Sequence, residues 1–310
     1  MSVDQPARRM KLGVMPSMGE DEERGGRAFS YAEIRDMAQA AEDVGLDSFW
    51  LADHLLYRFP GKPEAGAWEV FPFLGALAEA TKRITLGPLV ACTSFRSPAL
   101  LAKMAESMDE ITGGRFILGL GAGWHEPEYT AFGYPFDHRA ARFEEALKII
   151  VPLLREGHVD FHGAYYEATD TVLRPRGPSQ GRFPIWIGAH RPRMLRLVAR
   201  YADTWNTVWH ERSDAIEAQK VQIAAACQAV GRDPATLELT AGTFAHILAS
   251  GEQPKPDESH IAGSPEEVAL ALKGFADAGV KHLVVLVEPE SAEGIARFGE
   301  VVTLLDHIEQ

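Results

Sequence analysis

Short apolar runs alternate with amphipathic stretches from one end of the chain to the other. The periodicity predicts strand 11–15 and helix 30–44, strand 48–52 and helix 69–80, then strand 84–90 and helix 98–111. It continues with strand 116–120 and helix 141–155, strand 185–188 and helix 193–201, and strand 204–208 and helix 214–230. Strand 237–244 with helix 265–278, and strand 282–287 with helix 292–308, complete the series. Eight strands, each followed by a helix, is the count of a (β/α)8 TIM barrel, an α/β fold.

Local chemistry supports this phasing. Ser30 with Glu33 and Ser264 with Glu267 have the spacing of capping boxes, while Ser97-Pro98 and Ser264-Pro265 put proline at a first helical position. Helix-to-strand connections are short and often carry glycine, as at Gly45, Gly113-Gly114, Gly231 and Gly279. Strand-to-helix connections are longer, at 53–68, 121–140 and 245–263, and in a barrel these all open on the face that carries the active site. Segment 157–183, between the fourth helix and the fifth strand, breaks the repeat, and alternation around His162-Gly163 predicts a small hairpin-like insertion. It is expected to cover the barrel's side, with a pocket wall or an oligomer contact as alternatives. No linker or low-complexity stretch interrupts the chain, so residues 1–310 are expected to form a single domain.

Composition narrows the function classes. With 46% hydrophobic and 24% charged residues the chain has the balance of a soluble globular protein. A formal net charge of −13 argues against broad contact with nucleic acid, though local basic groups can still hold a small anion. Two cysteines, Cys92 and Cys227, cannot build a disulfide framework or a four-cysteine metal site, which fits a reducing compartment. Arg8, Arg9 and Lys11 lie near the start without the apolar run of a signal peptide, and no run of about 18 apolar residues occurs. The expectation is a cytoplasmic protein with no membrane partner.

His54 directly follows the second predicted strand, at the barrel mouth, where an imidazole can match hydride delivery with a proton. Asp53 is either a cofactor contact or an anchor for the loop behind it; adjacent strand residues face opposite ways, so it need not orient His54. His54, His125, His190, His210 and His246 all sit at or just beyond predicted strand ends. No His-x-His pair opens the first strand and no His-Glu-x-x-His helix is present, so no catalytic metal is expected. Gly119-Leu120-Gly121-Ala122-Gly123-Trp124 has the wrong spacing for a dinucleotide fingerprint, and Trp124 to Pro127 precede any predicted helix. Its glycines either let a flat ring approach the backbone, with Trp124 forming one side, or serve tight barrel packing. Gly188-Ala189-His190-Arg191-Pro192 joins strand to helix directly, suiting an anion with help from Arg191 or Arg193. Arg96 reads as a surface or loop-anchoring charge. Cys92, Cys227, Met104 and Met108 read as packing residues.

Taken together, Ala52-Asp53-His54-Leu55, Leu86 to Val90 leading to Phe95-Arg96-Ser97-Pro98, Leu118 to Trp124, Arg142 to Leu147, Pro184 to Gly188 and Tyr201 to Trp205 carry a resemblance. The chain resembles the bacterial luciferase-like superfamily, in particular its oxidoreductases dependent on the deazaflavin coenzyme F-420. The resemblance spans most of the chain and implies a TIM barrel with the cofactor ring across the strand C-termini. It implies that His54 is the catalytic histidine beside the reactive carbon. Leu89 and Val90 match a bulge that supports the ring from behind, in relatives often through a non-proline cis peptide bond. Ala122, Gly123 and Trp124 match ring-side positions, and Ile187, Gly188, Ala189 and His190 match the segment holding the cofactor phosphate. One departure stands out: some deazaflavin-dependent dehydrogenases have a catalytic glutamate where this chain has Trp124, which speaks against a sugar-phosphate reaction. Glu126 is near in sequence only.

The resemblance therefore implies hydride transfer between the reduced deazaflavin and a small organic substrate, with His54 as proton donor or acceptor. A reduced-FMN two-component monooxygenase is the alternative, and a non-catalytic flavin-binding protein a third. It further implies a separate reductase or dehydrogenase as supplier of reduced cofactor, and a homodimer. Arg58 and Lys62 are candidates for the cofactor's acidic tail, or solvated charges.

Overall fold

A computed structural model describes residues 8–248 and 261–308. Residues 1–7, and the centre of the predicted loop 245–263, lie outside the described residues. The chain opens β1 (Lys11–Val14), α1 (Tyr31–Asp43), β2 (Ser48–Leu51), α2 (Val70–Ala80), β3 (Thr85–Pro88) and α3 (Pro98–Thr112). There follow β4 (Leu118–Gly121), α4 (Glu126–Phe132), α5 (Arg139–Glu156), β5 (Ile185–Gly188) and α6 (Pro192–Tyr201). The series ends with β6 (Thr204–Trp209), α7 (Ala215–Ala229), β7 (Glu238–Ile247), α8 (Pro265–Asp277), β8 (His282–Glu288) and α9 (Ala292–Ile308).

The eight strands pair in parallel in the order β3-β2-β1-β8-β7-β6-β5-β4. Leu86 bridges to Phe116 in parallel, and the short strand Ala91–Cys92 pairs with Leu120 and Gly121, which brings the first and last staves together. This is the expected TIM barrel. Strands covered on both faces must be apolar on both faces, and in β2 all four residues are buried. Phe49 and Leu51 join the core under the helices, while Trp50 between them points into the barrel with Met15, Ile117, Trp186 and Val284. Trp50 and Trp186 pack with ring centroids 4.4 Å apart. Glycine makes the space: a Cβ on Gly87 would lie 2.8 Å from the Trp50 ring, and one on Gly13 2.8 Å from its indole nitrogen. Burying an indole removes on the order of 200 Å² from water, at most about 5 kcal/mol at ~25 cal/mol/Å².

Both predicted capping boxes are formed, at Ser30–Glu33 and Ser264–Glu267. Ser97 makes no side-chain cap, and Pro98 alone opens α3. Three loops differ from the expectation. Loop 121–140 holds α4, which starts at Glu126, so a helix follows the glycine run sooner than its polar, proline-containing sequence predicted. Loop 53–68 folds on itself through an antiparallel pair, Leu56–Tyr57 with Ala65–Gly66. In loop 245–263, β7 continues to Ile247 and Ile261–Gly263 pairs alongside it.

After α5 the chain forms an antiparallel hairpin, His158–His162 with Glu167–Val172. The Glu145 carboxylate on α5 accepts the N–H groups of Ala164, Tyr165 and Tyr166 at 2.9, 2.8 and 3.0 Å. The return segment binds α3: Gly177 N–H donates to Glu106 at 2.6 Å and Ser179 Oγ to Asp109 at 2.7 Å. The insertion therefore lies along the barrel's side. Among the described residues no helix is long and apolar enough to cross a membrane.

Candidate active site

His54 leaves the C-terminal end of β2 with its ring half-buried, and its neighbour in space comes from far along the chain. The Glu128 carboxylate on α4, 1% exposed, lies 3.0 and 3.3 Å from His54 Nδ1. It also accepts the Leu55 N–H at 3.0 Å. A carboxylate only accepts, so Nδ1 carries the proton and Nε2 is the nitrogen left to exchange one with a bound molecule. Glu128 is the main residue that sequence reasoning missed. Its signal was available only in part: an acidic residue in the first turn of a short helix suits the dipole whether or not it serves a histidine.

Asp53 takes the anchoring role. Arg96 donates to both its carboxylate oxygens, at 2.6 and 3.0 Å, and Cys92 N–H adds a third bond at 2.8 Å. This bidentate pair ties the end of β2 to the segment beyond β3. Arg96 is accordingly no surface charge: it is 9% exposed, pairs with Glu69 as well, and stacks on the Phe71 ring. Burial works against its charge, but the bonds from Asp53 and Glu69 outweigh that and raise its pKa.

β3 stops at Pro88, the Leu89–Val90 peptide is cis, and the strand resumes at Ala91. Val90 then projects toward β4 and β5. A Cβ on Gly121 would lie 2.5 Å from Val90 Cγ2, one on Gly119 2.1 Å from Pro88 O, and one on Gly123 1.9 Å from Tyr129 Oη. Packing thus requires these glycines: protein atoms fill the space that a side chain at Gly119, Gly121 or Gly123 would take. Gly123 also has φ +69°, which favours glycine. Tyr129 donates to Ala122 O at 2.8 Å and accepts from Cys92 Sγ at 3.0 Å. Burial pushes the Cys92 thiol up to about 12, so it is an inert packing residue. Cys227 is buried too.

The other expected residues divide. Ile187 packs its side chain in the core under the helices, leaving only its backbone at the mouth. Gly188 lies open beside Val90, whose nearest atom would be 3.5 Å from an added Cβ. Ala189 is buried and fixed by Trp205 Nε1, which donates to its carbonyl at 2.8 Å, while His190 is exposed. No side chain caps α6, so the first-turn N–H groups after Pro192 meet no capping side chain. Arg193 is engaged with Glu144 at 3.1 Å.

The clustered histidines serve different neighbours. His125 Nε2 accepts the Arg58 N–H at 2.9 Å, and burial lowers its pKa, so it is neutral. His210 sits on Thr207, with Oγ1 2.9 Å from Nε2. Among the described residues no three His, Cys, Asp or Glu side chains are arranged to hold a metal ion. Aromatic rings instead surround His54: Tyr57 at 4.7 Å between centroids and Trp124 at 5.7 Å. Burial raises the Tyr57 pKa, keeping its phenol protonated. Of the suggested tail-binding charges, Arg58 pairs with Glu64.

A cavity of about 420 Å³ opens at the opposite, N-terminal end, lined by Arg8, Lys11, Asp47, Arg83, His282 and Asp306 among others. Its charges close on one another: Arg8 reaches Gly45 O at 2.6 Å, Asp47 at 3.0 Å and Asp306 at 3.2 Å. In barrels of this kind that end carries stability rather than chemistry.

Residues 10–255 match the family model described as luciferase-like monooxygenase. The chain is 38% identical over 183 residues to the F420-dependent glucose-6-phosphate dehydrogenase of Amycolatopsis mediterranei (strain U-32), covering 56% of this chain and 51% of that protein. It thus matches about half the length of that relative. It is 31% identical over 269 residues to the phthiodiolone/phenolphthiodiolone dimycocerosates ketoreductase of Mycobacterium tuberculosis (strain ATCC 25618 / H37Rv), covering 80% of this chain and 70% of that one. Among solved structures, the coenzyme F420 dependent tetrahydromethanopterin reductase from Methanopyrus kandleri superposes with a TM-score of 0.77 at 20% identity, covering 96% of this chain and 99% of that one. That last likeness concerns the fold alone.

Proposed function

The chain belongs to the luciferase-like monooxygenase family and is an oxidoreductase, and from that premise we propose that it transfers a hydride between a reduced deazaflavin coenzyme and a small carbonyl substrate, with His54 exchanging the accompanying proton. The observation that carries this reading is the His54–Glu128 pair, which leaves Nε2 as the proton-exchanging nitrogen at the barrel mouth beside the Val90 bulge. The residues present fit such a cofactor: Val90 offers an apolar support, Gly188 leaves backbone open, and the uncapped start of α6 suits a phosphate. The deazaflavin, when bound, supplies the hydride.

The protein's own part is to position and to move a proton. In the reducing direction the carbonyl carbon gains the hydride, the C=O π pair moves to oxygen, and that oxygen takes the proton from His54 Nε2. The ketone becomes an alcohol, its two electrons arriving with the hydride. Glu128 orients the imidazole and stabilises its protonated form. Tyr57 stays protonated beside it and can steady the developing alkoxide. A separate dehydrogenase would regenerate the reduced cofactor.

Titration of the purified protein with the deazaflavin and with FMN, each oxidised and reduced, tests the reading by fluorescence and heat. Selective deazaflavin binding is expected. Selective binding of reduced FMN with oxygen uptake would replace it by a two-component monooxygenase, and binding of neither would overturn both.

A further inference from the structure

Beyond His54, aromatic rings continue outward to the surface. Tyr57 and Phe59 lie 6.2 Å apart at 14°, and Phe59 and Trp124 6.3 Å apart at 24°, so three rings share nearly one plane direction. His125 supports two of them from beneath, 5.0 Å from each of Phe59 and Trp124. Phe59 is 39% and Trp124 56% exposed, and Trp124 lies 5.7 Å between centroids from the proton-exchanging histidine. Large exposed aromatics held rigidly together at a site mouth mark a binding surface. Two cations at this rim, Arg58 and Arg139, are engaged. Arg58 pairs with Glu64, and Arg139 donates to Gly123 O at 2.7 Å and lies over the Phe136 ring. His125 accepts a backbone N–H and is neutral.

We propose that the Phe59–Trp124 shelf is the substrate-binding surface and that it selects an uncharged carbonyl compound bearing a flat aryl group next to the reacting carbon. This rests on the hydride-transfer reading above and names its substrate class. Ring faces reward a flat π-system through offset stacking, and they offer a phosphate no charge in return for the water it would lose. The shelf continues from Trp124 directly to His54, so a carbonyl attached to the stacked ring comes within reach of Nε2.

Saturation-transfer NMR titrations of the intact protein test this without requiring turnover, using acetophenone, cyclohexyl methyl ketone and 4-acetylphenyl phosphate as probes. Acetophenone should bind about tenfold more tightly than either of the others, and Phe59→Ala and Trp124→Ala should each weaken it up to about tenfold, the yield of one lost aromatic contact. Trp124→Phe should restore most of the loss. Equal binding of the three probes, tighter binding of the phosphate, or alanine variants that bind acetophenone as well as the parent would overturn the proposal. Acetophenone bound selectively by a protein that ignores the deazaflavin would sink the cofactor reading and keep the shelf; deazaflavin bound without probe selectivity would do the reverse.

Discussion

At the N-terminal end of the barrel Arg8 divides its guanidinium among Gly45 O, Asp47 and Asp306, while Ser48 Oγ lies 2.6 Å from His282 Nε2 and accepts from Trp50. At the C-terminal end Arg96 is likewise held between Asp53 and Glu69, yet the histidine beside it commits only one nitrogen to the protein. Both ends set a histidine beside an arginine and acidic partners. They differ in exposure: His282 is 5% exposed and bonded to Ser48, whereas the His54 side chain is 17% exposed and stands among ring faces that reach the surface. An enclosed network can only stabilise, whereas one that ends at the surface can act on something else.

The sharpest way to break this comparison is His54→Ala. With an open-ended role, turnover should fall by about 10²- to 10⁴-fold while cofactor affinity holds, as kinetics and titration together would show. A stability loss with unchanged turnover would make this end another closed network. Next in size is Asp53→Ala. It strands Arg96 beside Glu69 alone, and denaturant unfolding should record a loss of roughly 3 kcal/mol. That variant tests whether the two arginine clusters are alike.

The most gradual effect concerns the closed end. Burial, with the charges of Lys11 and Arg8, lowers the pKa of His282 from 6.5 to about 3. Between those values the unfolded chain binds a proton that the folded one refuses, so stability is full above pH 6.5 and falls as pH drops toward 3. The slope from this group is at most about 1.4 kcal/mol per pH unit. His282→Gln should flatten acid unfolding by that share; an unaltered slope would mean the lower network tolerates a charge.

The barrel was legible because its signals are local. Strand 48–52 and its neighbours read from runs of apolar residues, and Ser30 with Glu33 announces a helix start within four positions of sequence. His54 was legible as a strand-end histidine. Its partner was not, because Glu128 stands 74 residues away and no periodicity links them. Arg96 shows the same limit: a charge in a polar stretch looks solvated until Asp53, 43 residues earlier, meets it. The glycine run after Leu118 left its filler open for another reason. Glycine states that space is needed without stating what fills it, and here the filler is Val90 and Tyr129 from other segments. Helix α4 is only seven residues long, too short for a clear apolar stripe.

The seat of Val90 among Gly119, Gly121 and Gly188 bears on how this mouth can change over generations. Gly119 is held to glycine by the Pro88 carbonyl, whereas Gly121 is viable only against the present state of Val90. An alanine at Gly121 meets the Val90 methyl, but it would sit comfortably opposite a smaller side chain at position 90, so the two substitutions should be tolerated together and rejected apart. Lineages that remodel this platform must cross such a valley in paired steps, and combinatorial libraries that vary these positions jointly will reach variants that one-at-a-time scanning cannot.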